Sequence, residues 1–316
     1  MKIDRWDGEP INRAGIYRGV PADGYHGADL SVGPSISSSG LRTIFGQSPA
    51  HYWSASPYNP LRCLQEESEA MTLGRAAHHL LLGEADFGKK FTFRPAEIQG
   101  EPWQGNKKVC KAWLAARADE GISVLKPEWR ERIVGMRDGL AAHPMIDPAG
   151  TVRLLDGHVE HSLAWQDQAT GVWLKARPDV IPEGADDLAD LKTISDITDD
   201  GIEKAIGTSN LHMQAALVRM GWRHILGREM ASFSLVFVES KAPYICRIFT
   251  FRPEDLDLGE QQVRLALETF AKCMSSGHWF GPGGDQRDAA YISLKPYYKA
   301  RIERRCVDMQ IEFGTI

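Results

Sequence analysis

The chain has 316 residues, a net charge of −5, 43% hydrophobic and 25% charged residues, proportions of a globular protein with enough length to bury a core unaided. No run approaches the roughly 20 apolar residues of a membrane helix, and the acidic balance is not that of a bulk nucleic-acid binder. Its five cysteines (Cys63, Cys110, Cys246, Cys273, Cys306) never form a C-x-x-C pair, which argues against disulfides and structural zinc and for a cytoplasmic location.

The polar, acidic start from Met1 to Pro10 does not read as a signal peptide. Residues 1–30 are rich in Gly, Pro and Tyr and read as an irregular lead-in. Ser37-Ser38-Ser39 then precedes Leu41, Ile44 and Phe45, a helix cap followed by apolar residues at helical spacing. A second helix is expected over 66–82, burying Leu73, Ala76, Ala77, Leu80 and Leu81 and ending at Gly83. Residues 84–105 read as a loop with one short strand. Two further helices follow over 107–120 and 127–143, with Trp113, Ile133 and Met136 facing inward. The stretches 158–166 and 171–181 alternate as strands joined by a turn at 167–171, and 187–192 is a short apolar strand. A helix over 202–226, strands over 232–239 and 246–251, and a helix over 253–274 opened by Pro253 complete the body. This order predicts an α/β fold with a central mixed sheet flanked by helices, in a body spanning 31–285 followed by a basic tail over 286–316.

The informative segment is Trp173-Leu-Lys-Ala-Arg-Pro-Asp179, followed by Asp190-Leu-Lys192-Thr193. Asp190 and Lys192 lie two apart on a strand and share a face. If that strand pairs with the one ending at Asp179, two carboxylates and an ammonium meet at one sheet edge. Hard divalent cations take such oxygen ligands, and a neighbouring Lys can orient water and balance charge on a phosphate. A lone Asp-x-Lys is usually a solvated surface pair, but Asp190 sits in the apolar run Leu188-Ala-Asp-Leu, where a charge needs a reason.

Asp179 followed by Asp190-x-Lys192 resembles the PD-(D/E)xK nuclease signature, here with a literal Pro178-Asp179. Gly74-Arg-Ala-Ala-His78 resembles the G-x-x-x-H motif of its RecB-like branch, Glu160 stands where that branch places a further acid, and Gln214 matches its Gln motif. Gly15-Ile-Tyr17, Tyr25-His26, Ile36-Ser-Ser-Ser-Gly-Leu41, Glu160-His-Ser, Arg177-Pro-Asp179 and Asp190-Leu-Lys-Thr193 resemble the phage and prophage exonuclease VIII (RecE-type) group. One departure is Val218, where the family's Gln motif continues to a Tyr.

The resemblance implies a restriction-endonuclease-like core and a Mg²⁺-dependent DNA exonuclease, with Mn²⁺ substituting, acting 5′→3′ on linear duplex ends in phage-type recombination. It implies metal binding by His78, Asp179, Asp190, the Leu191 carbonyl and Glu160, and catalytic roles for Asp179, Asp190, Lys192 and Gln214. It further implies a homo-oligomer and a single-strand annealing protein as partner. Cys273 and Cys306 lack close Cys companions, so no iron–sulfur cluster is expected. Competing readings are a non-catalytic DNA-binding protein on the same fold, and a nuclease of other polarity, CRISPR-adaptation-like or endonucleolytic. Lys107, Lys108 and Lys111, with Lys299, Arg301, Arg304 and Arg305, are candidates to line a DNA path or to form solvated helix faces.

Overall fold

A computed structural model of the protein describes residues 1–63, 67–84, 86–146, 155, 157–184, 186–285 and 288–313. It falls into two units, Met1–Trp279 and Phe280–Ile316. In the first, β1 (Asp4–Arg5), β2 (Gly15–Arg18) and α1 (Ala22–His26) precede β3 (Ser35–Ser37), which runs directly into α2 (Ser38–Gly46). The helices α3 (Pro49–Ala55) and α4 (Glu69–Leu81) follow. The segment expected as a loop with one short strand carries more regular structure, namely α5 (Phe87–Lys90), β4 (Phe91–Phe93) and the hairpin β5 (Glu97–Ile98) and β6 (Glu101–Pro102). Left-handed backbone at Gln99 and Gly100 closes that hairpin. Then come α6 (Lys108–Asp119), β7 (Ser123–Leu125) and α7 (Trp129–Ala141).

The site-bearing half begins with β8 (His158–Val159), β9 (Ser162–Gln166), β10 (Trp173–Ala176), β11 (Val180–Ile181) and β12 (Asp187–Ile194). It continues through α8 (Asp199–Ser209), α9 (Leu211–Leu226), β13 (Ser232–Glu239), β14 (Cys246–Thr250) and α10 (Pro253–Ser276). The second unit contains α11 (Pro296–Phe313), so much of the expected tail is helical.

Two five-stranded mixed sheets result, in the orders β1-β2-β9-β10-β3 and β14-β13-β12-β11-β8. The two strands expected over 158–166 and 171–181 are each broken: β8 and β11 belong to one sheet, β9 and β10 to the other. The cause is local. Glu160 adopts a left-handed φ of 56°, which no strand residue has, and Pro178 has no N–H to continue a ladder. The Glu160 N–H instead donates to the Asp179 carbonyl at 3.0 Å, tying the two breaks together. The turn at 167–171 forms as expected, its Gly171 N–H donating to the Asp167 carbonyl at 2.8 Å.

Strand β12 pairs in parallel with β13 along all of its residues and antiparallel with β11 in the register Val180↔Ala189. Alternation then sends successive β12 side chains to opposite faces. Ala189 and Leu191 join the core beneath α4 and α7, with Leu73, Ala77, Ile133, Met136, Val236 and Val238. Leu188 joins the opposite core with Trp222, Phe233, Phe237 and Phe270. The expected burial on α4 holds for Leu73, Ala76 and Ala77, whereas Leu80 is 39% exposed because it points away from β12.

The helix expected over 202–226 is two helices, divided by Asn210 in the left-handed conformation. Asn tolerates that conformation better than other non-glycine residues, and Arg42 Nη1 donates to the adjacent Ser209 carbonyl at 2.8 Å. The bend sets the direction of α9, which packs tightly on α10 at Gly259. A Cβ there would lie 2.8 Å from both the Ala216 Cβ and the His212 carbonyl. Gly259→Val is therefore expected to cost about 1–3 kcal/mol by overpacking, read as a thermal midpoint lowered by several degrees.

Candidate active site

The register of β11 against β12 places Asp179 opposite Asp190, at the point where the two sheets part. Asp179 is 7% and Asp190 1% exposed, so neither carboxylate is a solvated surface charge. Asp179 Oδ2 accepts the Leu191 N–H at 2.6 Å, which locks the hairpin and aims the carboxylate at α4. His78 Nδ1 lies 3.4 Å from the same oxygen. The spacing of Gly74 and His78 serves this approach, since Gly74 faces β12 where a Cβ would sit 3.1 Å from the Thr193 hydroxyl.

Asp190 is held from the other side. Gln214 Nε2 on α9 donates to its Oδ1 at 2.9 Å, and Lys192 forms a close ion pair with its Oδ2. Glu160 enters from the break between β8 and β9. His78, Glu160 and Asp179 each present one ligand atom within 4.8 Å of the others. Asp190, engaged by Gln214 and Lys192, is outside that trio. All seven residues singled out by sequence thus gather around one locus, with the Leu191 backbone as the link between Asp179 and His78.

Electrostatics reflect a surplus of buried negative charge. Burial, and then Asp190, push Asp179 well above the usual carboxylate range, against the pull of Lys192 and the Leu191 N–H. Burial, and then Asp179, raise Glu160 from 4.5 to about 7, against the pull of Arg177. Burial lowers His78, and Lys192 lowers it further. Burial also disfavours the Lys192 ammonium, but Asp190 and Asp179 outweigh it and its pKa rises. The arrangement has a neutral imidazole and two carboxylates that repel each other within reach of one point, which fits a divalent cation.

The locus opens into a cleft of about 500 Å³, lined also by Tyr25, Ser37, Arg75, Lys90 and Arg177. Arg177 lies over the Tyr25 ring at 4.1 Å, donates to Ser162 Oγ at 2.9 Å and the Val20 carbonyl at 3.0 Å, and comes within 3.7 Å of Glu160. Sequence reasoning assigned it no role, although the Arg177-Pro-Asp and Tyr25-His26 phrases both contained the signal. Arg42, whose charge is felt by Lys192 and Asp190, carried no sequence signal. His79 turns away from His78 and meets Asp86 at 2.8 Å and Glu84 at 3.5 Å, with Lys90 beside the same two carboxylates.

Residues 37–286 match the family described as PDDEXK-like domain of unknown function (DUF3799). No curated protein matches the sequence. Among solved structures, the chain is similar to a candidate exonuclease from Eubacterium rectale, with a TM-score of 0.50, 14% identity and coverage of 95% of this chain and 97% of that one. It is also similar to a phage-related exonuclease from Haemophilus somnus 129PT, with a TM-score of 0.30, 10% identity and coverage of 64% of this chain and 95% of that one.

Proposed function

The chain belongs to the PDDEXK-like family DUF3799, and from that premise we propose that it is a divalent-metal-dependent DNA exonuclease. The observation that carries this reading is the convergence of Asp179 with His78 and Glu160 on the cleft wall, with the Asp190–Lys192 ion pair on the strand opposite Asp179. A binding module on this fold has no use for several mutually repelling buried carboxylates, which cost stability unless a cation balances them.

Asp179, Glu160 and His78 would hold the cation, with the Leu191 carbonyl and Asp190 adjoining. Mg²⁺ suits the oxygen ligands, and Mn²⁺ accepts the same donors together with imidazole. When bound, it supplies Lewis acidity at the scissile phosphate and favours ionisation of water. Lys192 carries the one ammonium among these residues. It lies at the edge of Asp190, where it can donate to the attacking water or to a non-bridging phosphate oxygen as charge builds there. Gln214 fixes Asp190 Oδ1 and so leaves Oδ2 to position Lys192. Arg75, Lys90 and Arg177 give the cleft cations suited to a phosphate backbone.

We place the activity on linear duplex ends, in the 5′→3′ direction, in a cytoplasmic phage-type recombination system. On this reading the enzyme is a homo-oligomer serving a single-strand annealing partner. The domain reading is likewise a nuclease body over 31–285 with an accessory basic end. No helix among the described residues is long and apolar enough to cross a membrane.

The deciding assay is digestion of linear duplex DNA labelled at either the 5′ or the 3′ end, with Mg²⁺ or with EDTA. Early release of the 5′ label as mononucleotide by the wild type is expected, with the rate lowered by at least about 100-fold in Lys192→Ala. Early release of the 3′ label would reverse the polarity, and internal fragments would make the protein an endonuclease. Binding of DNA with no cleavage under any divalent cation would sink the catalytic reading and leave a DNA-binding module.

A further inference from the structure

The turn after α4 gathers a second group of metal-ligating side chains at the lip of the cleft. His79 lies on the last turn of that helix, and Gly83, left-handed at φ 75°, reverses the chain behind it. The Glu84 N–H then donates to the His79 carbonyl at 3.1 Å, which brings Glu84 and Asp86 back to the imidazole. His79, Glu84 and Asp86 each offer one ligand atom, all within 4.8 Å of one another. The group shares no residue with His78, Glu160 and Asp179, although His79, Glu84 and the neighbouring Lys90 line the same cleft.

The surroundings of His79 decide what the three can hold. The residue is 4% exposed, and its Nδ1 has no hydrogen-bond partner among the described residues. Two aromatic rings pack on the imidazole, Phe87 with its centroid at 5.9 Å and Phe91 at 5.7 Å. An aromatic face attracts an N–H and repels a lone pair, so this apolar wall favours the tautomer with hydrogen on Nδ1. The Nε2 lone pair then meets Asp86 Oδ1 at 2.8 Å and Glu84 Oε2 at 3.5 Å. Three electron-pair donors facing one point call for a cation among them. Lys90 answers only in part, since its Nζ stands 3.5 Å from Glu84 Oε2 and 3.6 Å from Asp86 Oδ1, beyond good hydrogen-bond distance. Asp86 also occupies the cap position of α5 yet makes no cap bond, so its carboxylate is committed to this group. Ligands about 2.1 Å from a shared ion lie roughly 3–3.5 Å apart, a set that small rotations of the two carboxylates complete.

We propose that His79, Glu84 and Asp86 bind a second divalent transition-metal ion, through one imidazole and two carboxylates. That donor set suits Mn²⁺ or Zn²⁺. The ion takes the two carboxylates over from Lys90 and releases its ammonium to the cleft. The site is therefore both a clasp on the turn between α4 and α5 and a control on one cleft cation. Only the last consequence, a freed ammonium meeting a phosphate of the bound strand, rests on the nuclease reading.

Counting bound Mn²⁺ by electron paramagnetic resonance on the full chain tests the site. The wild type should bind two ions, and Asp179→Asn should keep the one at His79. Asp86→Asn should weaken that ion by at least about 10-fold, since even changes outside the ligand shell cost a metal site that much. Lys90→Met removes the competing cation and should tighten the same ion by roughly 2- to 5-fold, the worth of an exposed ion pair. If Asp86→Asn proves misfolded by circular dichroism, Glu84→Gln decides, with the same loss expected. The proposal is overturned if Asp179→Asn binds no ion, or if Asp86→Asn and Glu84→Gln both bind as the wild type does. Unchanged binding in Lys90→Met overturns the exchange with Lys90. A wild type that holds only the His79 ion, undiminished in Asp179→Asn, sinks the catalytic metal centre and not this site.

Discussion

Asp179→Asn should lower the rate of DNA cleavage by at least about 1,000-fold while leaving the protein folded. The substitution separates the two tasks of this side chain. An amide oxygen can still accept the Leu191 N–H that Asp179 Oδ2 takes at 2.6 Å, so the β11–β12 hairpin keeps its lock. What disappears is the negative charge opposite Asp190 and beside His78. The metal-free variant should be at least as stable as the wild type, because burial and Asp190 both disfavour that charge in the folded state. The check is a pair of measurements, thermal midpoint without metal and single-turnover cleavage with Mn²⁺ present. A midpoint several degrees lower would mean that Asp179 is chiefly structural. Full activity would mean that the metal is held elsewhere, for instance by His79, Glu84 and Asp86, which also converge within 4.8 Å.

The parts of this site that were legible in the sequence are those set by strand periodicity. Asp190 and Lys192 had to share a face, and an apolar context on both sides of Asp190 signalled burial. Pairing with the strand before it then brought Asp179 across, as the register shows. Periodicity also hid what it could not encode. The alternation over 158–166 runs on through Glu160 as though the strand were continuous, yet the backbone turns left-handed there and the chain passes from one sheet to the other. Nothing at Glu160 resembles a breaker, since neither Gly nor Pro is present; only Pro178 on the neighbouring strand hinted at the discontinuity. Asn210 divides a run of helical period for the same reason, because a left-handed Asn satisfies the local pattern on both sides. Arg42, whose charge is felt at Asp190 and Lys192, is brought near the site by long-range packing, which no local pattern specifies.

That left-handed turn makes Glu160 the most informative single substitution after Asp179. Its pKa is raised from 4.5 to about 7, first by burial and then by Asp179. A carboxyl whose folded pKa is raised contributes stability that is complete below pH about 4.5 and is lost as pH rises through about 7. Above that window the folded, metal-free protein holds an ionised Glu160 that it would prefer to keep protonated. Glu160→Gln mimics the protonated form at every pH. It should therefore raise the stability of the metal-free protein by about 1–3 kcal/mol at pH 8, with discount for solvent screening, and by almost nothing at pH 4. The same change should weaken metal binding, because a neutral amide replaces one of three converging donors. Adding Mn²⁺ at pH 8 should then raise the thermal midpoint of the wild type more than that of the variant, and cleavage by the variant should need more metal to reach its maximum. If the two proteins gain equally from Mn²⁺, Glu160 is not a ligand, and its burial beside Arg177 serves only to hold the two strand breaks together.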